Sequence, residues 1–164
     1  MDDLTVGELW ARRKQLENEA AVQLGHMIFE ISRLEMNLGL CLVWVEGGGK
    51  LESLTKSVES LGLKAKLDKL EEQVKANLPD RSKCREAYEH WLQRAHAIRQ
   101  LRNNLIHGRW GVEAHINKVV NVLGLPTSEE QQVTRYGIDE LVRINNELKA
   151  LQCELSRLCK HWPL

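Results

Sequence analysis

An arginine, an asparagine and a histidine stand just before a glycine in Arg102-Asn103-Asn104-Leu105-Ile106-His107-Gly108-Arg109-Trp110. Arginine stays cationic at cellular pH and presents a planar fork that matches phosphate oxygens. Histidine holds both protonation states near neutrality, so it can take a proton or give one. Asn103 adds an amide that can donate to a phosphate or hold His107 in one tautomer. These residue types suffice for metal-free cleavage of an RNA phosphodiester. That reaction needs deprotonation of the 2′-hydroxyl, stabilisation of charge on the phosphorus centre and protonation of the leaving 5′-oxygen. The plain explanation of the same residues is a cation in the last turn of a helix, complementing its dipole, with Gly108 as an ordinary stop.

The element that must position them is a helix. At about 100° per residue, Ala87, Trp91, Ile98, Leu101 and Leu105 lie near one line and form a buried stripe. Arg102 sits on the edge of that stripe, while Asn103 and His107 project from the far side with His96, Arg99 and Gln100. Between Arg81 and Trp110, seven basic residues (Arg81, Lys83, Arg85, Arg94, Arg99, Arg102, Arg109) face two acids, Glu86 and Glu89. The whole chain balances 23 Lys and Arg against 23 Asp and Glu, so only this stretch has the footprint of a phosphate-backbone ligand. Arg94, Arg99, Arg109 and His96 are the candidate RNA contacts beyond the motif. A solvated face paired with acidic helices of the same protein would give the same pattern.

Arg102-Asn103 followed by His107-Gly108, at the end of a basic helix, resembles the motif of the HEPN superfamily (higher eukaryotes and prokaryotes nucleotide-binding domains): Arg, a polar residue, a short spacer, then His. Ile31-Ser32-Arg33-Leu34-Glu35-Met36-Asn37-Leu38 is similar to the acid-containing first long helix of its bacterial members. The resemblance runs from about Ala20 to Gly108. It implies a dimeric, metal-independent ribonuclease that leaves a 2′,3′-cyclic phosphate, often a toxin or antiviral effector. Arg102 and His107 would then be catalytic and Asn103 supporting. Positions five apart on a helix point about 140° away from each other, so one copy does not converge its Arg and His on one phosphate unless the helix end unwinds. A two-fold homodimer would supply one His as base and the other as acid. The superfamily also contains non-catalytic dimeric binding and scaffold modules. In that alternative Glu35, Arg102 and His107 form a buried polar network that fixes helix register.

The remaining chain predicts an all-α fold, an antiparallel bundle of four to five helices in a single domain over 1–164. A small β-hairpin insertion at about 110–136 separates the last two helices. Thr5-x-x-Glu8 is a capping box that starts a helix near Val6. Trp10, Leu16, Ala20, Leu24, Ile28, Ile31, Leu38, Leu42 and Val45 then follow a four-three alternation. Glu35 falls where this seam lacks an apolar member. A carboxylate there needs a partner, with Arg102 the first candidate, unless it flanks the seam and reaches solvent. Gly47-Gly48-Gly49 ends the helix, and two shorter helices extend to Pro79. Asp80 or Ser82 caps the basic helix. After it, Val112, Ala114 and Ile116 alternate with polar residues, a turn falls near Asn117-Lys118, Val119 to Leu123 form a second strand, and Gln131 to Tyr136 can add a third. Leu141, Ile144, Leu148, Leu151, Leu155, Leu158 and Trp162 mark a closing helix.

With 43% hydrophobic and 28% charged residues the chain is of the ordinary globular class, neither disordered nor fibrous. Met1-Asp2-Asp3-Leu4 lacks the cationic start and apolar core of a signal peptide. The longest apolar run is too short to span a bilayer, so a cytoplasmic location without membrane contact is expected. The four cysteines are then expected to stay reduced. No Cys or His pair has strong metal-ligand spacing, and no metal or cofactor is expected. The expected partners are RNA, a second copy of the chain and a separate antitoxin or regulatory protein.

Overall fold

The computed structural model describes residues 5–164, so the signal-peptide expectation for Met1–Leu4 lies outside it. Five α-helices carry most of the chain: α1 (Val6–Val43), α2 (Leu51–Val58), α3 (Leu63–Asn77), α4 (Lys83–His107) and α5 (Ile138–His161). Between α4 and α5 lies an antiparallel sheet of β1 (Arg109–Glu113), β2 (Lys118–Leu123) and β3 (Gln132–Tyr136), in that order across the sheet. No described helix is long and apolar enough to cross a membrane.

The chain divides into two compact units. One contains the start of α1 as far as Ile28 together with Leu101–Asn146, and the other contains Phe29–Gln100 and Glu147–Leu164. Helices α1, α4 and α5 each contribute to both.

The second unit is wholly helical. Leu34, Leu38, Leu42, Leu67, Leu70, Val74, Tyr88, Trp91, Leu148, Leu151 and Leu155 are buried in it. Its buried aromatic groups, Tyr88 and Trp91, are also satisfied as hydrogen-bond donors. The Trp91 indole donates to the Leu151 carbonyl at 2.8 Å, and the Tyr88 hydroxyl donates to the Trp162 carbonyl at 3.0 Å. Gln152 donates to the Glu30 carboxylate at 2.7 Å, which ties α5 to α1. Here the apolar seam of α1 departs from expectation. Leu34, with no exposure, fills the place assigned to an absent residue, and Glu35 flanks the seam half-buried. Glu35 therefore does not await an arginine; its carboxylate is 3.3 Å from the Lys66 ammonium on α3. All four cysteines are free thiols.

The first unit is mixed. The capping box forms as expected: Thr5 N–H donates to Glu8 Oε2 at 2.8 Å, and Glu8 N–H donates to Thr5 Oγ1 at 3.3 Å. Its small core joins Leu16 and Ala20 of α1 with Val119 of β2 and Leu141 of α5, and Trp110, Val112, Tyr136 and Ile144 pack around them. The expected first strand is shifted. It begins at Arg109 and ends at Glu113, because Ala114–Ile116 wind into a 3-10 turn that closes on Asn117 in the left-handed region (φ 56°). Asparagine tolerates that backbone better than most residues. The insertion is thus a three-stranded sheet, with Val119 facing Val112 and Tyr136 in register. Trp10 and Ile28 were expected in the α1 seam, but they are 65% and 61% exposed.

Candidate functional site

Arg102, Asn103, His107 and Arg109 lie together in the mixed unit, on the last two turns of α4 and the first residue of β1. A helix end leaves its final carbonyls without partners, and here the sheet provides several. Gly108 N–H donates to the Asn104 carbonyl at 3.0 Å, continuing the helical pattern. The Trp110 indole N–H reaches back to the Leu105 carbonyl at 2.8 Å. Asn121 of β2 is only 2% exposed. Its amide is oriented with Nδ2 donating to the Asn104 carbonyl at 3.2 Å and Oδ1 accepting from the Trp110 indole at 3.3 Å. The turn that carries His107 is therefore held by backbone, indole and amide donors together.

Gly108 serves this arrangement in an unexpected way. Its backbone lies outside the left-handed region that an ordinary glycine stop adopts. Glycine is needed because a Cβ at this position would fall inside the Asn121 amide. The expectation of an ordinary C′ glycine is corrected to one of close approach between helix end and sheet.

His107 is exposed, and among the described residues its ring has no hydrogen-bond partner. Arg102 is half-buried; its Nη1 donates to Asn103 Oδ1 at 3.1 Å. The same bond leaves the Asn103 NH2 directed elsewhere, so this amide orients Arg102 and keeps a donor. No described carboxylate pairs with Arg102, and its Nε is buried without an acceptor. The helix is regular through His107, so the angle of about 140° between Arg102 and His107 persists. Arg109 extends from β1, and its guanidinium donates to Gln131 Oε1 at 2.7 Å.

The other expected site residues belong to the helical unit. Glu35 is paired with Lys66, as described above. Arg94 is not available as a phosphate contact. Its guanidinium lies 2.8 Å from Glu147 and 2.5 Å from Glu154, bonds that push it above the ordinary arginine range. Arg85 is likewise committed, bonded to Glu89 at 2.9 Å and to Asp80. His96 and Arg99 are half-buried near Asp68, whose carboxyl is held below its usual range chiefly by the bonded Lys64. Arg99 Nε is buried without an acceptor. The seven-member basic stretch thus loses Arg85 and Arg94 to intramolecular pairs.

No family model, curated protein or solved structure matches this chain. The site has to be judged by its own chemistry. It offers a cation that no carboxylate among the described residues neutralises, an amide that orients that cation, and an exposed imidazole on a braced helix end. That set can bind an anionic oxygen and exchange a proton with solvent or substrate. Among the described residues no three His, Cys, Asp or Glu side chains converge as a metal site would require.

Asn121 was not foreseen as part of the site. Its signal was present: one amide within Val119-Val120-Asn121-Val122, on the buried face of an apolar strand, must find partners. The partners it would find were beyond reach, because one is a backbone carbonyl of α4 and the other the indole of β1.

Proposed function

We propose that this chain is a metal-independent endoribonuclease of the HEPN type, working in the cytoplasm as a toxin or anti-phage effector. Two copies form a composite site in which Arg102 stabilises charge on the attacked phosphate and Asn103 holds its fork. One His107 accepts the 2′-hydroxyl proton, and the His107 of the second copy protonates the leaving 5′-oxygen. A separate antitoxin or regulatory protein controls it. The observation that carries this assignment is the exposed His107, without a hydrogen-bond partner among the described residues, on a turn braced by Asn121 and Trp110. The bracing satisfies the last carbonyls of α4 and so fixes the turn on which the exposed imidazole stands. The regular helix between Arg102 and His107 supports the need for two copies.

A specific feature disfavours the register-fixing form of the alternative, a non-catalytic dimeric module. That form requires a buried His107 bonded at both nitrogens and a Glu35 turned toward it, whereas His107 is exposed and Glu35 pairs with Lys66.

The test is incubation of the purified protein with mixed cellular RNA in chelator, beside His107→Ala and Arg102→Ala, with the fragment ends mapped. Cleavage that survives chelation, leaves cyclic-phosphate ends and disappears in both variants is the expected result. Folded, dimeric wild-type protein that cuts none of several RNA pools would overturn the assignment in favour of the binding module.

A further inference from the structure

The mixed unit contains a groove that the proposed chemistry does not use. On one side run Trp10, Arg13 and Leu24 of α1, and on the other Trp110 and Val112 of β1. A cleft of about 280 Å³ lies at the Trp110 end, lined by Arg13, Leu24, Trp110 and Val112. A second of about 300 Å³ lies at the Trp10 end, where Val112 and Arg13 recur beside His115. Arg13 and Val112 line both, so the two clefts are stretches of one groove. Trp10 is 65% exposed, and the Arg13 guanidinium lies 5.6 Å from its ring centroid. Trp110 closes the far end, and it is the same indole that caps the His107 turn. One side chain thus borders the groove and braces the turn that carries His107.

We infer that this groove seats a short single-stranded stretch of RNA flanking the cleaved bond, with a base stacked on Trp10 and phosphates on Arg13 and Lys14. The inference rests on the ribonuclease assignment for its ligand class. An exposed indole beside an arginine is a platform that any nucleobase can use, while cations along the same wall follow the backbone. Charge favours this occupant: Arg13 borders both clefts and, beside Trp10, lines a third with Lys14 on α1, where Glu17, which also lines the first cleft, is the one acid. An extended peptide could instead add to β1, which is an edge strand. Such a peptide would bond to main-chain groups and would have no use for a cation stacked on an exposed tryptophan.

The experiment measures fluorescence anisotropy of labelled short oligouridine and oligoadenosine on protein carrying His107→Ala, so that binding is read without cleavage. In that background Trp10→Ala is expected to weaken binding roughly 5- to 150-fold, the range for loss of one stacked base. Trp10→Phe should restore most of it. Arg13→Gln should lower the log–log salt slope by roughly 0.7, one phosphate contact. Because Trp10 is exposed, its replacement leaves the fold intact, and thermal unfolding checks this. Unchanged RNA affinity in Trp10→Ala overturns the inference even if wild-type protein cleaves RNA. Trp10-dependent binding without cleavage by wild type supports the groove and removes the ribonuclease assignment instead. A Trp10→Ala protein whose sedimentation changes while its RNA affinity does not would make the groove a contact between copies, and would also overturn the inference.

Discussion

Two arginines on α4, Arg94 and Arg102, belong to the same basic run and meet opposite environments. Arg94 is held between Glu147 and Glu154, 53 and 60 positions away in the chain. Among the described residues Arg102 has only the Asn103 amide oxygen, at 3.1 Å. The first guanidinium is spent on holding α5 beside α4, and its field is largely cancelled at close range. The second keeps its charge and has an orienting neighbour that leaves that charge intact. A basic stretch is thus divided into structural and available cations by acids far away in sequence, and only the available ones can form a phosphate site.

The sharpest way to break this comparison is to remove each cation while keeping its stem. Arg102→Met is expected to reduce RNA cleavage roughly 100- to 1,000-fold, the usual effect of losing one donor to a developing anion, with little change in unfolding temperature. Arg94→Met is expected to leave cleavage near wild type and to lower stability by about 1 kcal/mol in urea unfolding. Cleavage lost in a well-folded Arg94→Met protein, and retained in Arg102→Met, would reverse the roles assigned to the two positions.

A smaller effect concerns what makes the Arg102 environment rigid. Gly108→Ala drives a Cβ into the Asn121 amide and is expected to cost about 1–3 kcal/mol through forced displacement. Asn121→Ala removes a buried bridge to the Asn104 carbonyl and is expected to cost a similar amount, roughly 1–3 kcal/mol. Because the alanine at 121 vacates the space that the Cβ at 108 needs, the double variant should be more stable than the sum predicts. Urea unfolding of the four proteins checks this, and strict additivity would show that helix end and sheet are independent there.

What could be read from sequence follows the range of each interaction. The five helices were legible because apolar periodicity and capping residues are local: Leu141 to Leu158 mark α5, and Thr5 with Glu8 start α1. The hairpin is legible from β-branched residues, and its third strand from Gln131 to Tyr136, but the 3-10 turn at Ala114–Ile116 continues the same alternation and reads as strand. The motif itself was legible, as residue types at a spacing. Its surroundings were not. Lys66 as the partner of Glu35, the carboxylates on Arg94 and the approach of Asn121 to Gly108 each depend on which distant elements become neighbours. One seam position was enough to misplace Glu35, since Leu34 beside it satisfies the same periodicity after a small phase drift.

The mildest test extends the comparison to neutralised cations in the same unit as Arg102. Lys118 lies 3.0 Å from Glu140, and Arg135 holds Glu113 through two bonds of 2.6 and 3.0 Å. The Glu140 carboxyl is held below its ordinary range first by the Gly137 N–H and then by Lys118; that of Glu113 is lowered chiefly by Arg135. When folding depresses a carboxyl pKa, the unfolded chain binds more protons than the folded one in the window between the two values. Stability from these groups is therefore whole above the ordinary carboxylate range and falls as the pH is lowered through it, levelling off below the folded-state values. Glu140→Gln should lower stability at neutral pH and flatten the acid limb of the stability profile in urea unfolding. Arg102→Met should leave that limb unchanged, because no carboxylate among the described residues pairs with Arg102. An acid limb that flattens in Arg102→Met would reveal a carboxylate acting on Arg102 from beyond bonding distance, and would return this arginine to the structural class of Arg94.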